Sequence, residues 1–325
     1  MKTLRKIVLF VLALLVAGSV GGYFYARKKF EAPANQLTVA GLPTNFSFEW
    51  EANNAVQPAV AHAAQLVPVQ IPGCSRTCFL QFDTGAPYTL LYAPSIAALR
   101  ARYPATRAML QAPADTVHNF RFALGQAQVR VSRLPVLNFG AREIPADSTK
   151  PFVIGTLGTD VLEGRVLLID YASRRLTLSN KVPDDLARRT DFVPLTFESR
   201  RVMFEANLQN EARNLLFDSG TSAYALITSQ NNWKTLIQPQ APVHTQAVNS
   251  WGKTLTSYTA PTAAAMHLGA AKIPLGTVTY IEGMNLFQSL MMRFSGLGGM
   301  LGNEVFAGRT VILDVAGGRF GVVRK

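Results

Sequence analysis

A mostly-β chain built from two similar lobes is predicted by three observations. The segment Leu80-Gln81-Phe82-Asp83-Thr84-Gly85 returns 135 residues later as Leu215-Leu216-Phe217-Asp218-Ser219-Gly220. A second element follows each copy: Leu157-Gly158-Thr159-Asp160-Val161-Leu162 matches Leu301-Gly302-Asn303-Glu304-Val305-Phe306. In both copies Gly-Arg comes next, then an apolar strand ending in Asp170 or Asp314, twelve residues after Gly158 or Gly302. Between these landmarks run short alternating segments such as Val67–Ile71 and Val202–Ala206, the period of half-buried strands. A self-similar register of this length marks repeated whole lobes.

The chain opens with a different kind of segment. Residues 7–26 carry no charge and are flanked by Lys2, Arg5 and Lys6 before and Arg27, Lys28 and Lys29 after. A twenty-residue helix spans about 30 Å, the hydrocarbon thickness of a bilayer. One transmembrane helix, within an anchor segment 1–29, is therefore expected; the competing reading is a signal peptide cleaved near Ala17-Gly18-Ser19. Residues 30–41 read as a linker, 42–182 as the first lobe, 183–190 as a charged connector and 191–325 as the second lobe. Helix signals are confined to stretches such as Ser95–Tyr103 and Asp160–Glu163. Asp170 and Asp314 follow strands and read as turn formers.

Composition narrows the function. Apolar residues make up 48% and charged residues 16%, which fits a filled core and not a disordered chain. The net charge of +12 invites nucleic acid, but half of it flanks the 7–26 segment and the rest is dispersed, with no basic run interleaved with aromatics. Nucleic-acid binding is not expected. His62, His118, His244 and His267 have no metal-ligand spacing, so no metal and no cofactor are called for. Cys74 and Cys78, the only cysteines, lie in a predicted hairpin turn and could close a small disulfide loop outside the cytoplasm.

Two carboxylates brought together can do acid and base work at one pH. They cannot easily both ionise, so they share a proton and titrate as a pair. Asp83 and Asp218 are the candidates, and Gly85 and Gly220 allow the backbone to turn tightly beside them.

Phe82-Asp83-Thr84-Gly85-Ala86 and Phe217-Asp218-Ser219-Gly220-Thr221-Ser222, with the Leu-Gly elements ending at Gly158 and Gly302, resemble the aspartic peptidase superfamily of pepsins and retroviral proteases. The resemblance implies two pseudo-symmetric barrel-like lobes with a cleft between them, and a catalytic dyad of Asp83 and Asp218. It implies hydroxyls of Thr84 and Ser219 cross-bonding the two Asp loops, with Thr221 as further support. A peptide or protein would lie extended in the cleft. The Tyr-Gly of a pepsin flap is missing from the first lobe, where the stretch ending at Phe120 occupies the place, and Trp251-Gly252 could tip a flap in the second. The function expected is a monomeric, membrane-anchored aspartic endopeptidase with its catalytic domain outside the cytoplasm. The alternative is a non-catalytic peptide-binding module of the cell envelope that uses the same cleft.

Overall fold

The computed structural model describes residues 34–54, 59–250, 253–283 and 297–324. The proposed transmembrane helix of residues 7–26 and the flap tip Trp251-Gly252 lie outside the described residues. Among the described residues no helix is long and apolar enough to cross a membrane.

The chain is mostly β, and the strands among the described residues form two sheets. The first half contributes β1 (Leu37–Ala40), β2 (Thr44–Ser47), β3 (Glu49–Asn53), β4 (Val60–Val69), β5 (Cys78–Phe82), β6 (Leu90–Tyr92), β7 (Thr116–Leu124), β8 (Ala127–Leu137), β9 (Val153–Leu157), β10 (Val166–Asp170) and β11 (Arg175–Ser179). The second contributes β12 (Thr190–Thr196), β13 (Met203–Leu208), β14 (Glu211–Phe217), β15 (Leu226–Ile227), β16 (His244–Ser250), β17 (Lys253–Pro261), β18 (Ala265–Leu268), β19 (Ala271–Pro274), β20 (Thr277–Glu282), β21 (Leu297–Leu301), β22 (Thr310–Asp314) and β23 (Arg319–Val323).

Strand pairing repeats between the halves. In the first, β5 pairs antiparallel with β4 and parallel with β9, β9 pairs antiparallel with β6, and β6 pairs parallel with β8. In the second, β14, β13, β21, β15 and β20 repeat those relations in the same senses. Even the irregularity is shared: the parallel ladder slips at Phe79/Leu80 and again at Asn214/Leu215, each four residues before the Asp. The repeated Leu-Gly elements are the ends of β9 and β21, where Leu157 pairs with Phe82 and Leu301 with Phe217.

The sheets do not divide one per half. The order β2-β11-β10-β22-β23-β12 runs antiparallel at one end of the larger sheet and draws on both halves. Alternation explains why it is buried on both faces. Val166, Leu168, Ile312 and Val323 pack under Leu186 and Ala187 of α2 (Asp184–Arg188), whereas Leu167, Ile169, Val311, Leu313, Phe320 and Val322 enter the main core. Asp170 and Asp314 do form turns here, accepting the backbone N–H groups of Ala172 and of Gly317.

Three local expectations change. Residues 37–40, placed in the linker, are a strand, because Leu37-Thr38-Val39-Ala40 alternates and pairs along β8. The first described helix, α1 (Ala93–Arg102), starts two residues before the expected Ser95, since Pro94 suits the first turn. The Asp160–Glu163 helix signal is a single 3₁₀ turn, Thr159–Leu162. A third described helix, α3 (Gln230–Leu236), is capped by the Ser229 hydroxyl and has no strong apolar period to announce it.

Ile169 of β10 is fully buried in the ladder that joins the halves. Ile169→Ala is expected to cost about 2–5 kcal/mol, as large-to-small core changes do. Urea unfolding is expected to show one transition moved to lower denaturant, not the loss of one half alone.

Candidate active site

Each Asp follows its strand directly, and its N–H is fixed by the neighbouring parallel strand: Asp83 donates to Leu157 O (3.1 Å) and Asp218 to Leu301 O (2.9 Å). The chain then turns sharply. Ala86 N–H donates to Asp83 O and Thr221 N–H to Asp218 O, while the carboxyls accept Gly85 N–H (2.8 Å) and Gly220 N–H (2.9 Å).

A reciprocal set of buried bonds ties the turns together. Thr84 N–H donates to Ser219 Oγ (2.9 Å), and Ser219 N–H donates to Thr84 Oγ1 (2.8 Å). The Thr84 hydroxyl donates to Phe217 O (2.8 Å) and the Ser219 hydroxyl to Phe82 O (3.1 Å). Both hydroxyl residues are completely buried. Thr84, Gly85, Ser219, Gly220 and Thr221 are thus gathered around Asp83 and Asp218.

The approach is close enough to require glycine. A Cβ on Gly85 would stand 2.6 Å from Asp218 Oδ1, and one on Gly220 would stand 2.5 Å from Asp83 Oδ1. The two carboxyls therefore face each other across the paired turns, within hydrogen-bonding reach. Both remain partly accessible.

Their proton affinities are raised. Asp83 lies above the usual carboxylate range because burial penalises its charge, an effect opposed by the N–H of Gly85 and the Asp218 carboxyl. Asp218 is pushed up to about 8, first by burial and then by the negative charge of Asp83. Asp83 also receives help from the N–H groups of Ala86 and Gly220, and the hydrogen bond between the two carboxyls lowers Asp83 and raises Asp218.

Behind the turns the halves differ. Asp160 accepts both Thr89 N–H and Thr89 Oγ1–H at 2.7 Å, and Thr159 Oγ1 donates to Arg200 O at 2.7 Å. In the other half Asn303 Nδ2 donates to Ser219 O (3.2 Å) and Ser222 Oγ (3.0 Å), and its Oδ1 accepts from Tyr171 OH (2.7 Å). Asp160, Thr89, Asn303 and Tyr171 are supports that the sequence reading did not single out. The signal for two of them was there, since Asp160 and Asn303 stand just past the repeated Leu-Gly.

Phe120 belongs to no flap. It is buried on β7, opposite Val131, with its ring 5.7 Å from that of Phe122. In the second half β16 and β17 do form a hairpin, with Ser250 paired to Lys253 on either side of Trp251-Gly252. Midway along it the Ser257 hydroxyl donates to Gln246 O (3.2 Å), with the Tyr224 hydroxyl beside it.

Cys74 and Cys78 are neighbours but free thiols, both buried, both turned toward Arg76 O. The hydrogen bond with Cys78, aided by Arg76, lowers the Cys74 thiol to about 7, while that bond and burial raise Cys78. Among the described residues no group of His, Cys, Asp and Glu is arranged to hold a metal ion.

No family model matches this chain, and no curated protein matches it in sequence. Among solved structures, the crystal structure of basic 7S globulin from soybean is similar at 10% identity, covering 89% of this chain and 95% of that one, with a TM-score of 0.42.

Two outcomes are expected. Thr84→Val removes the acceptor of Ser219 N–H and the donor to Phe217 O, and leaving such buried groups unpaired costs about 1–3 kcal/mol each. Urea midpoints measure the loss. Asp218→Asn acts on stability with the opposite sign. The Asp218 pKa is higher folded than unfolded, so its contribution is fully present below the unfolded value near 3.8 and is lost as pH rises toward about 8. The variant is expected to melt progressively higher than the wild-type chain as pH is raised across that window.

Proposed function

We propose that this chain is an aspartic endopeptidase in which Asp83 and Asp218 hydrolyse peptide bonds through an activated water. The observation that carries the reading is the pair of facing carboxyls whose proton affinities are pushed apart. Such a split assigns one group as base and the other as acid. Asp83, the better-stabilised anion, takes a proton from water as the oxygen attacks the carbonyl carbon. Asp218, holding its proton, gives it to the carbonyl oxygen. The tetrahedral intermediate then collapses: the C–N bond breaks as Asp83 passes its acquired proton to the leaving nitrogen, and Asp218 takes a proton back from a hydroxyl of the intermediate, which restores the pair.

The repeated strand pairing supports two pseudo-symmetric pepsin-like lobes with the substrate extended between them. Main-chain hydrogen bonds to strand edges would hold such a substrate, and the β16–β17 hairpin is the candidate flap. Anchoring by residues 7–26 would place the domain at a membrane surface, with the catalytic lobes outside the cytoplasm, where Cys74 and Cys78 could oxidise to a disulfide.

A peptide library incubated with the chain across pH tests the reading. Cleavage is expected in wild type and sensitive to pepstatin, and lost by at least about 10²–10⁴-fold in Asp83→Asn and in Asp218→Asn. kcat/KM is expected to be bell-shaped. It falls at low pH as Asp83 takes up a proton, and at high pH as Asp218 loses its own near 8. No cleavage at any pH, with peptide still bound, would overturn catalysis in favour of a binding cleft.

A further inference from the structure

The outer face of β7 and β8 carries positive charge alone. His118 and Arg121 are exposed on β7, and Arg130 and Arg133 on β8. The register sets Arg121 directly opposite Arg130 and His118 directly opposite Arg133. Arg121 and Arg130 are like charges facing each other across a ladder, which is destabilising. None of β1, β7 and β8 contains Asp or Glu. The ion pairs among the described residues join Arg200, Arg213, Arg319 and Arg324 to their partners and include none of these three arginines. Packing does not require them, because Phe120, Phe122, Val129 and Val131 fill the inner face.

The place of this face in the chain indicates what it meets. β1 pairs along β8, with Thr38 opposite Arg130, and is the first described strand. It follows Arg27-Lys28-Lys29 and the uncharged segment 7–26. The stretch from Ala26 to Leu37, eleven residues, reaches at most about 40 Å at the 3.3–3.6 Å per residue of an extended chain.

We propose that the Arg121–Arg130–Arg133 face docks on anionic phospholipid headgroups of the membrane that residues 7–26 enter. The inference rests on the anchor reading given above. Guanidinium groups match phosphate oxygens two at a time, and phosphates beside Arg121 and Arg130 remove the repulsion that water leaves in place. Each basic residue near an anionic surface favours association by about fivefold, and salt screens the effect. The strands expose no Phe, Tyr or Trp ring for stacking bases, which disfavours a single-stranded nucleic acid.

The full chain, assembled in nanodiscs of phosphatidylcholine with or without phosphatidylglycerol, provides the test. A fluorophore on Gln128→Cys, an exposed position of β8, reports energy transfer to acceptor-labelled headgroups. Cys74 and Cys78 are buried, and the chain without the added cysteine serves as the labelling blank. Transfer is expected to be higher with phosphatidylglycerol and to fall in high salt. Arg121→Glu, Arg130→Glu and Arg133→Glu combined are expected to lower the docked-to-undocked ratio by about 100-fold or more. The milder Arg121→Gln, Arg130→Gln and Arg133→Gln chain, checked for an unchanged urea midpoint, should show a smaller loss in the same direction. Equal transfer in both nanodiscs, or no effect of either variant, overturns the docking with the anchor intact. So does a face that responds to added nucleic acid or acidic protein but not to lipid. A chain that enters neither nanodisc overturns the anchor reading, and the docking with it.

Discussion

Four buried hydrogen bonds between Thr84 and Ser219 and the strand ends Phe82 and Phe217 hold the candidate site in register. Each hydroxyl accepts from the opposite turn and donates to the carbonyl before the opposite Asp. No polar atom of the set is left over, so the arrangement is both buried and satisfied, the condition under which a polar network specifies one geometry. That knot brings two turns so close that a side chain at residue 85 or 220 would strike a carboxyl. The distance between the halves is thus set by the same contacts that set the distance between the acids.

Two similar backbones around this knot do not make two equivalent acids. Asp83 is served by the N–H groups of Gly85, Ala86 and Gly220, whereas Asp218 has Gly220 and Thr221 and sits against the charge of Asp83. Differences continue behind the turns, where an anchored carboxyl, Asp160, faces Thr89 in one half and an amide, Asn303, bridges Tyr171 and Ser222 in the other. Tyr171 comes from the first half and Asn303 from the second, and Thr159 of the first half bonds Arg200 of the second. The halves are braced across as well as within, and the shared antiparallel sheet continues that bracing away from the site.

The site was legible in the sequence because its chemistry is local and doubled. Asp, a hydroxyl residue and Gly must be consecutive for one turn to supply carboxyl, cross-bond and clearance, and the second copy removed the ambiguity of a common turn. The Leu-Gly elements were legible for a related reason, since a Cβ on Gly158 would run into the Tyr88 backbone and one on Gly302 into the carbonyls of Thr221 and Tyr224. What failed was long-range. Nothing local to Phe120 distinguishes a flap residue from one whose ring faces the core opposite Val131. The passage of β2, β10 and β11 into the larger sheet depends on pairing partners more than a hundred residues away, such as Val166 with Asp314. Residues 37–40 read as linker because a four-residue strand shows too little alternation without β8 beside it.

The central claim is that Asp83 and Asp218 form one titrating pair with the proton held on Asp218. Carbon-13 NMR of the Asp side-chain carboxyls, followed across pH in the wild-type chain and in Asp83→Asn, measures it directly. The expected result is a carboxyl that keeps its proton to about pH 8 and loses part of that elevation when the charge of Asp83 is removed. Two carboxyls titrating independently near the ordinary value of 3.8, unchanged by the substitution, would contradict it.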